Sequence, residues 1–545
     1  MFISIGNFFQ KEGDTSFWYG IVVVGTISAI ANAGLLAIIN SAAKATENEE
    51  LNYYFFTLYI IIFLIFFLAK KFAILEATKE IEKILKDIRN RISHKIKKSE
   101  LLTIEQLDSA KIFTRLTRDT SLVSQSATEM LATVQSLLMV FFALIYILLI
   151  APIMFVLIVS TLIITLMVYA VFFKETQRDL AKSGVLEDEF FNSLNSTLSG
   201  FKELKVNSLK RDYIYRKHSM ILQNLFTLRS DLSERFTAIM MFAETFLYIL
   251  LGSIVFVIPH LILEDSTTII QVTAAMLFII GPIDNAIYIF PLATKTNIAI
   301  KNIYKLEKNL DHKLLSDQEE QEHHYFKEFK ELKLQNLEFE YHDQQDEKLF
   351  GIGPVDLNIK RGEIIFIIGG NGSGKSTLMK TLLYLYPPSS GTIYLDNDLI
   401  DHHNYQSYRD LFSIILSDFY LFKEFYEVEN LDYKLVNELL LKMGLNHKTK
   451  FINGQFTNIN LSTGQRKRLA LISAILEDKQ IYLFDEWAAD QDPEFREYFY
   501  KTVLPKLKDE GKTVIAVTHD EAYFNYCDRS FKMEDGKMKT YKGNL

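Results

Sequence analysis

Residues 51–69, LNYYFFTLYIIIFLIFFLA, contain no charged side chain. A helix this long and this apolar has no polar face to offer water. It matches the roughly 20 apolar residues needed to cross the hydrocarbon of a bilayer. Residues 152–173, PIMFVLIVSTLIITLMVYAVFF, have the same character. Six such segments occur, at about 17–40, 51–69, 130–150, 152–173, 236–259 and 267–292, all within the first 295 residues. Whole-chain totals of 49% hydrophobic and 23% charged residues would suit a soluble protein too, so the distribution decides. Buried helices of a soluble fold would show polar faces, which the charge-free segments lack. The first run has only Lys11 before it and further spans after it, so it reads as a membrane helix rather than a cleavable signal.

The charges between spans set the orientation. Lys83, Lys86, Arg89, Arg91, Lys95, Lys97, Lys98, Lys111, Arg115 and Arg118 lie between spans two and three; Lys202, Lys205, Lys210 and Arg211 lie between four and five. The turn at Ala151-Pro152 and the turn HLILEDST carry no Lys or Arg. Positive charge stays on the cytoplasmic side, which places both long segments and both chain ends there. Those segments, roughly 70–129 and 174–235, have few Gly or Pro. Apolar positions such as Ile81, Ile84, Leu85, Ile88 and Ile92 repeat at helical spacing. Long amphipathic helices that extend the spans into the cytoplasm are expected.

Past Ile300 the pattern changes. Residues 306–329 read as a linker, ending the membrane domain (1–305) and opening an α/β domain (330–545). There, short β-like runs such as EIIFIIG, IYLFD and TVIAVTH alternate with helical ones, which indicates a parallel sheet. A net charge of -8 gives no sign of a nucleic-acid partner. Cys527 is the only cysteine, so no intramolecular disulfide or CxxC pair exists. His323-His324 reads as a solvated pair rather than a metal site.

Four motifs in the second domain carry chemistry. Gly369-Gly370-Asn371-Gly372-Ser373-Gly374-Lys375-Ser376-Thr377 follows the strand EIIFII and opens a helix. Its glycines let successive N–H groups face phosphate oxygens, Lys375 neutralises the β- and γ-phosphates, and Ser376 offers a hydroxyl to Mg²⁺. IYLFDEW ends a buried strand in two acids: Asp485 as a metal-side carboxylate and Glu486 as general base for water. TVIAVTHD places His519 at a strand end, within reach of a γ-phosphate. Leu461-Ser462-Thr463-Gly464-Gln465 starts a helix whose N–H groups suit an anion.

These motifs, in this order, resemble the nucleotide-binding domain of ABC transporters, strongly over about 330–545, with the six-span half matching as architecture. LSTGQ stands where that family has LSGGQ. The resemblance implies a dimer with two ATP molecules sandwiched between copies, each held by Lys375 of one copy and by Ser462, Thr463, Gly464 and Gln465 of the other. It also implies that Tyr341, in Phe339-Glu340-Tyr341, stacks on adenine and that Asp492 is the D-loop aspartate. Arg115-Leu116-Thr117-Arg118-Asp119 and LSGFKELKVN (198–207) resemble the intracellular loops that press coupling helices onto the ATPase. Ser417 occupies the slot where the family has a Mg²⁺-contacting glutamine; Asp418 or a water is the alternative replacement. That substitution, with LSTGQRKRLAL and DEWAADQDPEFR, is similar to the cyclic-peptide exporters, which handle siderophore peptides, lipopeptides and microcins.

The expectation is therefore an ATP- and Mg²⁺-dependent exporter in the bacterial inner membrane, working as a homodimer on a peptide or peptide-like cargo. A lipid or multidrug flippase of the same fold is the alternative. An ATP-driven sensor that moves no solute is disfavoured by the intact Lys375, Asp485, Glu486 and His519. Glu244, Asp284 and Asn285 lie within the spans, where acids are functional by default, and are candidates for the cargo path. No peptidase-like segment precedes the first span, so leader cleavage during export is not expected.

Overall fold

The computed structural model describes residues 2–45, 53–107, 109–261, 266–311, 326, 328–342, 347–426 and 432–541. Most of the expected linker, with His323-His324, lies outside them. The chain divides into two compact units, Met1–Lys97 with Leu107–His312, and Lys98–Gln106 with Lys313–Leu545.

The first unit is helical. Among the described residues, Thr15–Ala42, Tyr53–Lys98, Lys111–Ile150, Ser208–His260 and Ser266–Asp311 are long and apolar enough to cross a membrane. The apolar stretch Pro152–Val168, the start of helix Pro152–Ser199, stands at the position of the fourth expected span. Four helices run 46, 48, 45 and 46 residues. At 1.5 Å per residue each is about 70 Å long, more than twice the hydrocarbon thickness. The long segments between spans are thus continuous with the spans. In helix Tyr53–Lys98 the buried stripe Ala73, Ala77, Ile81, Ile84, Leu85, Ile88 and Ile92 keeps the spacing read from the sequence.

Local chemistry explains the breaks. Helix Thr120–Ile150 stops at Ala151, whose backbone is extended (φ −143°, ψ 81°), and the next helix starts on Pro152. A residue before proline is pushed out of the helical region, and proline fits the first turn of a helix. The apolar core of this unit includes Ala143, Ile147, Ala243, Leu247, Ala275, Met276 and Ile279. Its alanines let helix backbones approach closely. Beyond the spans, Arg91 bonds to Glu12 (2.8 Å) and Glu307 (2.6 Å), Lys95 to Glu307 (2.9 Å) and Asp311 (2.6 Å), and Tyr304 to Glu12 (2.9 Å). This cluster ties the N-terminal helix Phe2–Glu12 to the ends of two long helices.

Arg115–Asp119 also belongs to this unit. It is one π-helical turn in which Arg115 donates to the buried Asp119 at 2.9 Å, and Asn302 reaches the same carboxylate at 3.4 Å. Its polar groups serve helix packing. The segment of this loop that belongs to the second unit is Lys98–Gln106, earlier in the chain than the resemblance implied. In the second loop, helix Phe201–Val206 leaves Phe201 and Val206 exposed.

The second unit is built on a six-stranded sheet in the order Lys537–Tyr541, Arg529–Glu534, Ile364–Gly369, Thr513–Val517, Ile481–Asp485, Phe412–Ile415. All neighbours are parallel except the first pair. The three central strands are buried at every position, as strands covered on both faces must be. A four-stranded antiparallel sheet has Lys348–Lys360 at one edge and Glu331–His342 next to it.

Candidate active site

Parallel neighbours point their carboxyl ends the same way, and ligands bind beyond those ends. The sheet order therefore sets the motifs side by side. Ile364–Gly369 runs into the phosphate loop, Thr513–Val517 leads to His519, Ile481–Asp485 ends at Glu486, and Phe412–Ile415 leads to Ser417. Three of the four motifs, with Ser417 beside them, meet along one edge across about 150 residues of sequence; Leu461–Gln465 opens a helix instead.

The phosphate loop turns on glycine. At Gly369 (φ +150°) a Cβ would lie 2.3 Å from the carbonyl oxygen of Met533, so no side chain fits. Gly374 (φ +101°) caps helix Lys375–Leu382. Lys375 is buried, and its Nζ donates to the carbonyls of Gly369 (2.9 Å) and Gly370 (3.0 Å) and lies 3.7 Å from Glu486. A cavity of about 480 Å³ over the loop is lined by Phe350, Asn371, Gly372, Gly374, Lys375, Ser376, Thr377 and Glu486. Tyr341 borders the same helix, its hydroxyl 3.4 Å from Thr377.

Asp485 is 1% exposed. Its Oδ2 accepts a hydrogen bond from Ser376 at 3.1 Å, Ser417 also bonds to the carboxylate, and Oδ1 is buried without a partner. Burial pushes its pKa above the ordinary aspartate value, and the bonds from Ser376 and Ser417 only partly oppose that. A buried carboxylate with a free oxygen beside two hydroxyls is a hard-oxygen donor set that suits Mg²⁺, which takes few protein ligands and shares the rest with phosphates and water. Ser417 reaches this carboxylate itself; its neighbour Asp418 is exposed.

Glu486 sits at φ +51°, a left-handed conformation that a non-glycine residue holds only when its surroundings fix it. His519 Nε2 lies 3.1 Å from its Oε1. Lys467, buried on helix Thr463–Glu477, donates to the Glu486 carbonyl at 2.7 Å and pairs with Asp490 at 2.7 Å. The indole of Trp487 donates back to the Lys467 carbonyl at 2.8 Å. The acid pair and the signature helix are thus bolted together.

Ser462 and Thr463 are exposed at the start of that helix, and the Ser462 N–H donates to Gln465 at 3.3 Å. At Gly464 a Cβ would be 2.6 Å from the carbonyl oxygen of Asp490. The pentapeptide therefore tolerates Thr463, which faces outward, and demands glycine next to it. Asp492 caps helix Pro493–Tyr498, accepting from the Phe495 N–H at 3.0 Å. Glu244, Asp284 and Asn285 lie far along the chain in the first unit and are not part of this edge.

Sequence reading missed Phe350 and Lys467. Phe350 carries no motif. Lys467 sits in LSTGQRKRLAL between Arg466 and Arg468, and nothing in that spacing marks it as buried.

Comparison with known proteins agrees with this architecture. The family model for the ABC transporter transmembrane region matches residues 18–280, and the ABC transporter family model matches 352–489. The ATP-binding protein SyrD of Pseudomonas syringae pv. syringae is 30% identical over 536 residues, covering 94% of this chain and 92% of that protein. Methionine import ATP-binding protein MetN 1 of Oceanobacillus iheyensis is 31% identical over 232 residues, 38% of this chain and 67% of the relative. Lipoprotein-releasing system ATP-binding protein LolD of Hyphomonas neptunium is 29% identical over 204 residues, 34% and 87%. Matched in both halves, the chain belongs to the ABC transporters, as a half-exporter of the inner membrane that joins a multi-pass domain to a cytoplasmic ATPase and couples ATP hydrolysis to transport.

Proposed function

We propose that two copies of this chain form an exporter of peptide or peptide-like cargo, of the cyclic-peptide, siderophore-precursor or microcin type. The observation that carries this reading is the match to SyrD, which covers 94% of this chain and so both halves, whereas the relatives named for methionine import and lipoprotein release cover only 38% and 34% of it. The serine at 417 and the run Trp487-Ala488-Ala489-Asp490-Gln491-Asp492 support the same lineage.

Lys375 and the loop N–H groups would hold the triphosphate from one copy, with Tyr341 on the adenine. Ser462, Thr463, Gly464 and Gln465 of the second copy would complete its charge neutralisation, with Asp492 beside them. Ser376, Asp485 and Ser417 would hold Mg²⁺, which draws charge from the phosphate oxygens when bound. Glu486 takes a proton from the attacking water, and His519, 3.1 Å from it, holds that carboxylate in place and faces the γ-phosphate. ATP binding joins the two ATPases and hydrolysis releases them, so the energy resides in the differing affinities of the closed and open states.

Glu244, Asp284 and Asn285 are assigned to the cargo path. Asp284 Oδ1 is buried without a partner, a polar atom left for cargo or the second copy to satisfy. The test is ATP hydrolysis in nanodiscs against cyclic peptides, siderophore precursors and lipids. Stimulation by peptides that is lost in Asp284→Asn supports the reading. Stimulation by lipid alone replaces it with a flippase.

A further inference from the structure

Helix Tyr53–Lys98 carries Lys70 directly after the charge-free stretch 51–69. A lysine at the edge of a span normally snorkels outward, its ammonium reaching the aqueous side. Lys70 does the opposite. Its Nζ lies 5.5 Å from the ring centroid of Phe66, which is one turn further into the span. With Ser28, Asn32, Gln135, Ser136 and Asn285 it lines a cavity of about 150 Å³ in the membrane unit. Trp18, an aromatic of the kind that marks a membrane boundary, stands near the cytoplasmic start of helix Thr15–Ala45. Ser28 and Asn32 lie about 15 and 21 Å along that helix from Trp18, at mid-depth in a hydrocarbon layer about 30 Å thick.

Polar groups at that depth are costly, and these are mostly unspent. The Asn32 amide donates to the thioether of Met139 at 2.9 Å, a weak acceptor. Ser136 donates to the Ala132 carbonyl at 3.0 Å. Among the described residues, the lining holds no Asp or Glu, no ion pair reaches Lys70, and no hydrogen bond reaches Gln135 or Asn285. Lysine can only donate, and each of the three amides brings two further N–H donors. The complement to such a lining is an anionic group that only accepts, which is a carboxylate. A cation would be repelled by Lys70, and an uncharged group would leave the ammonium unpaired in a medium of low dielectric. The cavity is smaller than the roughly 300 Å³ that a whole drug-sized ligand needs, so one end group of a larger molecule enters it.

We propose that Lys70, Asn32, Gln135 and Asn285 form a subsite for a carboxylate of the cargo, at a chain end or on an acidic side chain, so that peptides with a free carboxylate are taken in preference to their amides. The proposal deepens the peptide-cargo reading and rests on it. Converting the carboxylate to an amide removes the charge and turns N–H groups toward a lysine that cannot accept them. A lipid phosphate offers similar oxygens, but it resides at the headgroup level rather than at mid-depth.

The test uses the full chain in phosphatidylcholine nanodiscs. ATP hydrolysis is titrated with cyclic peptides, each made with one free carboxylate and again as the matching primary amide. The acids should half-saturate stimulation at about tenfold lower concentration than the amides. Lys70→Met should raise the acid value about tenfold and leave the amide value as in the parent, which also shows that the variant folds. Lys70→Arg should keep most of the preference, and Gln135→Leu should lose about threefold of it. Equal potency of acid and amide in the parent, or a preference that survives Lys70→Met, overturns the subsite while peptide stimulation upholds the export reading. If Lys70→Met answers neither form, Gln135→Leu decides, and an unchanged preference there overturns the subsite. Failure of every peptide in both forms sinks the peptide reading and the subsite together. Stimulation by added phosphatidylglycerol without peptide, lost in Lys70→Met, assigns the site to lipid phosphate and overturns the proposal.

Discussion

The ATPase unit and the membrane unit use polar groups in opposite ways. In the ATPase, the groups assigned to chemistry already meet one another or their own loop, Ser376 on Asp485, His519 on Glu486 and Lys375 on the loop carbonyls, with Asp485 Oδ1 left open. In the membrane unit, no hydrogen bond or ion pair among the described residues reaches Glu244, Asp284 or Asn285, while the cytoplasmic ends are dense with ion pairs. A prebuilt site suits one invariant substrate, since order established before binding need not be created during it. Under the proposed function, these unpartnered groups would be met by cargo or by a second copy.

Substitutions sharpen this contrast. The largest effect is expected for Glu486→Gln, which removes the base and leaves the binding groups. ATP hydrolysis should fall roughly 10²- to 10⁴-fold while ATP still binds and holds two copies together, read by crosslinking of purified protein. Retained turnover would break the assignment. Asp485→Asn comes next, with hydrolysis down about 100-fold and thermal stability unchanged or higher. The sign follows from burial, which raises the Asp485 pKa in the folded state above its ordinary value of 3.8. Such a group adds stability at low pH, where it is protonated, and loses it as pH rises through the folded value. The nucleotide-free protein should therefore lose stability with rising pH from the carboxylate range upward. Asp485→Asn should flatten that slope in melting curves at a series of pH values.

Gly464→Ala probes the packing of the signature helix on Asp490. A Cβ 2.6 Å from a backbone oxygen forces a shift, so a loss of about 1–3 kcal/mol and a lower melting temperature are expected. Thr463→Gly should melt like the parent. Arg91→Met is the smallest. It leaves Glu307 short of one partner, but Arg91 is 38% exposed and Lys95 remains. Screening reduces the effect to about 1 kcal/mol of membrane-unit stability, with ATP affinity unchanged by calorimetry. A change in ATP affinity there would erase the contrast between the units.

Much of this was legible beforehand because some constraints are local. A charge-free run such as 152–173 has one reading, and GxxxxGKS after an apolar strand has nearly one. The sheet edge followed from strand ends alone. What stayed hidden depends on tertiary neighbours. Nothing in Leu101–Gln106 announces that Glu105 meets Lys380 and Tyr386, which lie 275 and 281 positions away. Arg115–Asp119 resembles the first intracellular loop of exporters, yet Arg115 and Asn302 both bond to its buried Asp119 within the first unit. Lys467, flanked by Arg466 and Arg468 in sequence, is buried and bonds to the Glu486 carbonyl.

The junction at Ala151 has a mechanical consequence. Two long helices meet there through one extended residue, so their outer tips are hobbled and can swing only as a pair. Any doorway to the outside must form along a seam between other helices, and a crosslink across the 151–152 tips should leave export running.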